Sequence, residues 1–246
     1  MTDYKSRFDV FVCGGSQHVE MLKPLLARLR PFGTVHLGSS FLTESDLVEL
    51  RGLYDVLHTP RHSPDAYYNF ELFVIKDINR LASAPRFVKL DADIHVEPDW
   101  IEYVEECVAA HPDAVLFGPR RGDVDVNCEI KGPLARRLFG RELRVTNRPK
   151  VLGGFYVGLT SFFRQHGPFM GLVHELNQCD DGRLLRPTGP AACGAPRKFR
   201  GNEDTLRSFV VHAAGAGDRL HVFDSAGRVR IERPDAVVRQ PAWRTN

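Results

Sequence analysis

Between residues 8 and 118, short apolar runs alternate with segments of helical period, and this alternation leaves few folds open. FDVFVCG (8–14) reads as a buried strand. A helical segment follows with Leu22, Leu25, Leu26 and Leu29 on one face, although Pro24 unsettles its start. TVHLG (34–38) reads as a second strand. Thr43, with Asp46 three residues on, resembles a capping box ahead of Leu47 and Leu50. YDVLHT (54–59) is a third strand. From 69 to 81, Phe70, Phe73, Val74, Ile78 and Leu81 recur at helical spacing, with Lys76, Asp77 and Arg80 off that face. RFVKL (86–90) is a buried strand running into Asp91. Pro98 suits a first helical position, and Trp100, Tyr103, Val104, Cys107 and Val108 form the inner stripe of the helix behind it. AVLFG (114–118) is another strand. This order predicts an α/β fold with a mostly parallel central sheet and helices on both faces. In such sheets ligands gather at the carboxyl ends of the strands, where Asp91 and Asp93 fall.

The second half is less regular. KVLGGFYVGLT (150–160) is strand-like and carries a double glycine. Residues 177–200 lack periodicity and read as a long loop of a length more often functional than incidental. Asn202 suits a helix cap, with Leu206, Phe209, Val210 and Ala213 facing inward. RLHVF (219–223) and RVRIE (228–232) are short closing strands. The 246 residues fit one α/β domain, and 43% hydrophobic content supports a full core without cross-links. With 33 basic against 31 acidic residues there is no global field to hold nucleic acid. Five cysteines, none in a CxxC pair, point to free thiols and a reducing cytoplasm. Neither a signal-peptide core nor a membrane-length apolar run is visible, so a cytoplasmic protein is expected.

The chemistry centres on Asp91-Ala92-Asp93. Alternate residues of an extended chain point the same way, so both carboxylates can face one ligand. Two such carboxylates repel unless a cation joins them. Oxygen donors of this kind suit Mg²⁺ or Mn²⁺, ions that complete their shells with substrate phosphates. On its own the pattern is common in solvated turns; the buried strand before it and Pro-Asp-Trp after it give it weight.

Three blocks in order carry a family resemblance: RFVKLDADIHVEPDW (86–100), VLGGFYVGLTSFFRQHG (151–167) and GNEDTLRSFVVHAAG (201–215). Together they resemble GT-A fold glycosyltransferases, especially the family-2-like bacterial nucleotide-sugar transferases. The resemblance implies a Rossmann-like single domain over 1–246, with a nucleotide-sugar half (1–118) and an acceptor half (119–246). It implies a Mn²⁺ or Mg²⁺ ion on Asp93, with Asp91 as a further ligand or a contact to the ribose, and His221 as a third ligand with His212 as its rival. Gly153 and Gly154 would let the backbone approach the diphosphate, with Cys13, Gly14 and Lys76 also on the donor. Asp204, beside Glu203, would be the general base; the helix start lowers its basicity, while Glu203 and burial oppose that. A base there implies inversion.

The donor implied is a nucleotide sugar, a UDP-sugar first, and the acceptor a small polar molecule or glycan end. DNA carrying a hydroxylated base is an alternative acceptor, suggested by the basic run at 186–200, and a catalytically silent sugar-nucleotide-binding module is an alternative outcome. The acid that reads the base in many relatives is replaced by LGSS (37–40), leaving Ser39, Ser40 or the Cys13–Gly15 turn for that contact. The glycine-rich basic loop of sugar-phosphate nucleotidyltransferases is absent after the first strand. RQPAWR (239–244) has the letters of a processive-polymerase motif in the wrong order, and that reading is rejected. Oligomeric state does not follow from the sequence.

Overall fold

The computed structural model describes residues 7–15, 18–58, 72–119, 125–130, 136, 140–151, 153–176, 203–223 and 229–231. The expectations for Asn69, Phe70, the 177–200 loop, Asn202 and the 239–244 tail lie outside them. The strands are β1 (Phe8–Gly15), β2 (Thr34–Phe41), β3 (Val56–His58), β4 (Arg86–Asp91), β5 (Ile94–Val96), β6 (Leu116–Pro119), β7 (Val126–Ile130), β8 (Leu143–Arg148), β9 (Phe155–Leu159), β10 (Leu220–Phe223) and β11 (Val229–Ile231). The helices are α1 (Val19–Leu29), α2 (Glu44–Glu49), α3 (Ile78–Leu81, entered through a π turn at Phe73–Asp77), α4 (Trp100–Ala110), α5 (Thr160–Leu176) and α6 (Glu203–Ala213). Among the described residues, no helix is long and apolar enough to cross a membrane.

Seven strands form the central sheet in the order β10-β6-β9-β4-β1-β2-β3. β1 runs parallel to β2 and β4, β2 to β3, and β6 to β10; β9 runs antiparallel to both β4 and β6. The expected α/β architecture is therefore the one observed, with one reversed strand inside an otherwise parallel sheet. On one face Val10, Val12, Leu37, Val88 and Leu90 pack against the Leu22–Leu26–Leu29 stripe of α1 and against Trp100, Ile101 and Val104 of α4. On the other, Phe11, Phe87 and Tyr156 meet Phe73, Val74 and Ile78, Phe162 and Phe163 of α5, and Val211 of α6. A third cluster joins Ile75, Met170 and Leu206 to the β7–β8 hairpin, which the sequence reading did not foresee.

Local chemistry explains most boundaries. Thr43 and Asp46 make the capping box reciprocally. Pro24 lies inside α1, which starts earlier than expected, at Val19. α4 starts at Trp100 rather than at Pro98, behind a turn in which the Trp100 amide donates to the Glu97 carbonyl.

Under the π turn lies a polar chain in an otherwise apolar layer. His36 Nδ1 is 2.9 Å from His58 Nε2, and His36 Nε2 is 3.4 Å from Asp9 Oδ1. Asp9 accepts further bonds from the Ser83 and Ala84 amides. Burial opposes the Asp9 charge, but His36 and those amides hold its carboxyl below the usual range. Burial and the neighbouring His36 pull His58 down to about 4.

Two outcomes are expected. Unfolded His58 binds its proton near pH 6.5 and folded His58 only near 4, so stability falls as pH drops through that window, by at most about 1.4 kcal/mol per pH unit. Denaturant midpoints at pH 7 and pH 5 should differ less in His58→Gln than in the wild type. A Cβ at Gly158 would lie 2.7 Å from Phe87 Cε1, so Gly158→Ala should cost about 1–3 kcal/mol in the same measurement.

Candidate functional site

The apolar run of β4 buries Phe87, Val88 and Leu90 and delivers Asp91 to the carboxyl edge of the sheet. Two backbone bonds fix the chain there. The Asp91 amide donates to the Gly154 carbonyl at 2.8 Å, and the Ala92 amide donates to the Cys13 carbonyl at 2.8 Å. A tight turn then passes through half-buried Asp93 into β5, whose Ile94 is buried.

Lys89 reaches this edge from inside the sheet. Its side chain has no solvent exposure, and its ammonium donates to Asp91 Oδ1 and to the Gly153 carbonyl, each at 2.6 Å. The carboxylate therefore meets a fixed internal cation. Burial pushes the Asp91 carboxyl up, Lys89 pulls it down, Asp93 adds repulsion and His18 a smaller attraction. His18 stands at the start of α1, and its buried Nδ1 has no hydrogen-bond partner among the described residues.

The glycines divide by task. A Cβ on Gly154 would stand 3.0 Å from Ile94 Cδ1 and 3.5 Å from Asp91 Oδ2, so its absence keeps open the space before the carboxylate oxygen that Lys89 does not bind. Gly153 supplies the carbonyl that positions Lys89. A Cβ on Gly14 would come within 2.8 Å of the Ala92 Cβ, so Gly14 lets the β1 turn pack against the acidic turn from behind. Cys13 contributes its carbonyl, while its side chain is buried in the core.

The third sequence block is tied to the same place. Lys150 Nζ, buried, donates to Thr205 Oγ1 at 2.8 Å, and the Val151 amide donates to Ser208 Oγ at 3.3 Å. These bonds join the first turns of α6 to the segment leading into Gly153. The side chains of Glu203 and Asp204, which open α6, lie outside the described ones.

Four expected residues are placed elsewhere. His221 sits on β10 in register with Phe117 of β6, stacked on His111 with ring centroids 4.0 Å apart. β10 is three strand steps of about 4.8 Å from β4, so the strand order sets His221 apart from the end of β4 that carries Asp91. Its rival His212 is bonded to the Pro149 carbonyl. Lys76 extends along Gly171 of α5 and lines a cavity between helices with Arg80 and Arg164. Ser39 is buried and donates to the His58 carbonyl. Among the described residues, no three His, Cys, Asp or Glu side chains gather into a metal cage. Lys89 and His18 were missed by sequence reasoning. The signal for Lys89 was a charged residue inside a buried strand, two positions before Asp91 and so on its face.

No protein-family model matches the sequence, and no curated protein matches it. Solved structures with a similar course of chain include mouse xyloside xylosyltransferase 1 in its apo form (15% identity, TM-score 0.47, 89% of this chain and 85% of that one). Another is the apo-form glycosyltransferase GlyE of Streptococcus pneumoniae TIGR4 (12%, 0.48, 90% and 46%). A third is S. aureus TarS 1–349 in complex with UDP-GlcNAc (10%, 0.49, 94% and 60%). The chain thus spans less than two thirds of the last two.

Lys89→Met leaves a buried carboxylate without its cation. The expected loss is about 3 kcal/mol, the low end for a broken buried pair because Asp91 retains 29% side-chain exposure. Asp91→Asn in the same chain should recover most of it. Urea denaturation of the two variants checks this, and an unaltered midpoint in Lys89→Met would contradict the pairing.

Proposed function

We propose that the chain is a glycosyltransferase that moves a sugar from a nucleotide-sugar donor to a hydroxyl acceptor at the carboxyl end of β4. The observation that carries this reading is convergence. Asp91 and Asp93, the Gly153–Gly154 pair and the start of α6 are separated widely in sequence, yet the Lys89 and Lys150 bridges tie them into one edge of the sheet. An acidic turn, a backbone cleared of side chains and a helix opening on two carboxylates are the parts a diphosphate-activated sugar requires.

The donor set fits a divalent cation. Asp91 Oδ2 and the Asp93 carboxylate are hard oxygen donors, and Gly154 leaves the space before Asp91 Oδ2 clear. Mg²⁺ and Mn²⁺ commonly take only one or two protein carboxylates, with phosphates and water completing the shell. Asp93 and Asp91 would hold the ion, which supplies positive charge beside the departing diphosphate. Lys89 cancels part of the Asp91 charge, so the dianionic donor does not face two uncompensated carboxylates. His18 Nδ1, buried and without a hydrogen-bond partner among the described residues, belongs to a ring near the same charge.

Asp204 is the proposed base. The acceptor hydroxyl oxygen forms a bond to the anomeric carbon, the bond from that carbon to the diphosphate oxygen breaks with its electron pair on the leaving group, and the hydroxyl proton passes to the Asp204 carboxylate. Attack opposite the leaving group inverts the anomeric centre. UDP-sugars are the first donors to test, against small polar or glycan acceptors.

Asp93→Asn should abolish Mn²⁺-dependent hydrolysis of a donor from a panel of UDP-, GDP- and dTDP-sugars without altering the circular dichroism spectrum. Asp204→Asn should slow transfer by about a hundredfold or more while leaving donor affinity within a factor of about two. Near-normal turnover in Asp93→Asn would sink the site assignment, and an unchanged transfer rate in Asp204→Asn would remove the base.

A further inference from the structure

A second polar concavity lies away from the carboxylate edge. Between the π turn with α3 on one side and α5 on the other is a cavity of about 570 Å³, walled by Lys76, Asn79 and Arg80 and by Arg164, Gly167 and Gly171. Its size falls within the range that holds small organic ligands. One end of it is marked by Arg164, which donates to the Ala82 carbonyl just ahead of β4, and none of its described lining residues belongs to the Asp91–Gly154 edge. Asp91 ends that strand five residues beyond Arg86, about 17 Å along it, so Arg164 stands near the opposite edge of the sheet.

The charged side chains among the described lining residues are all basic. Lys76, Arg80 and Arg164 supply three cations, and no carboxylate is among the described lining residues. The nearest acid on the same helix, Asp77, stands 3.4 Å from Arg80, whose side chain is 72% exposed. Behind the wall is a further cation. Asn79 accepts a 3.1 Å bond from Arg207, which is wholly buried with its guanidinium over the rings of Phe87, Tyr156 and Phe163. Asn79 turns its amide nitrogen to the Ile75 carbonyl, so its bonding is internal and it forms a rigid back wall.

α5 presents two glycines to this hollow. A Cβ on Gly171 would press to 3.2 Å of Lys76 Cε, and one on Gly167 would meet the Asn79 Cβ at 3.6 Å. Pro168 between them has no amide hydrogen to give to the Arg164 carbonyl one turn earlier, which loosens α5 on this stretch. Pro168 and Leu172 add an apolar flank. Two arginines with flat donor forks and one lysine around a partly apolar hollow are suited to a phosphate group attached to an organic body.

We propose that this cavity is a binding site for a phosphorylated small molecule, distinct from the site at Asp91 and Asp93. It takes the phosphate between Arg80, Arg164 and Lys76 and the organic part against Pro168 and Leu172. The site is independent of the glycosyl-transfer reading and requires no divalent ion.

The test is calorimetric titration with glucose 6-phosphate, and separately with inorganic pyrophosphate, in buffer containing a chelator. Saturable binding is expected that weakens with added salt, is unaltered in Asp93→Asn, and falls about tenfold or more in Arg80→Gln and in Arg164→Gln. Arg80→Gln guards against a folding defect, because its side chain is largely exposed, and thermal melting of both variants checks the fold. Absence of saturable binding by either probe, retention of affinity in Arg80→Gln, or loss in Asp93→Asn instead would each overturn the proposal.

Discussion

A buried ammonium at the end of β4 organises the rest of the site. Lys89 has no solvent to satisfy it, so its position depends on the Asp91 carboxylate and the Gly153 carbonyl being where they are. The dependence runs both ways. Asp91 sits against the sheet with one oxygen committed and the other beside the gap at Gly154, and the segment before β9 is drawn to β4 by the same three-way tie and by the Asp91 amide. Such a pair adds little net stability once desolvation is counted, but breaking it is expensive, which makes the local geometry stiff. A stiff carboxylate is what an acidic turn needs if it is to present a fixed oxygen to a cation.

The reversed strand β9 follows from this arrangement. Because β9 runs antiparallel to β4, its amino end lies beside the carboxyl end of β4, and the two glycines that precede it fall beside Asp91. A parallel strand at that position would have brought its far end there instead. The antiparallel register also aligns Tyr156 with Lys89, 5.8 Å from ring centroid to ammonium, so an aromatic face shares in holding the charge.

Much of this was legible in the sequence, for reasons that are local. Phe87 to Leu90 read as a buried strand because Phe87, Val88 and Leu90 are apolar, and two alternating carboxylates after it read as facing one ligand because extended chain has a period of two. The capping box of α2 and the inner stripes of α1 and α4 were visible for the same kind of reason. What stayed hidden depends on contacts distant in sequence. Nothing near Lys89 announces that its partner is a carbonyl 64 residues away. His221 lies in a strand of the right character, but its distance from Asp91 is decided by the strand order, with β6 and β9 between β10 and β4. The antiparallel β7–β8 pair, with polar residues on one face of each short strand, gave no pattern strong enough to separate from loop.

The helix that carries Asp204 is held by the least expected device in the fold. In the π turn the backbone bonds lengthen their reach by one residue, and the Val74 and Ile75 carbonyls take side-chain donors: Val74 from Arg207 and Ile75 from Asn79. Arg207 then continues to Asn79, under the rings of Phe87, Tyr156 and Phe163. One guanidinium thus pins α6, one turn after Asp204, to the π turn and to strands β4 and β9. A charge buried so completely would be a liability in a purely structural core, where an apolar side chain fills the same space at less desolvation cost. Its directional bonds supply what an apolar residue lacks, a defined rotation of α6 about its axis.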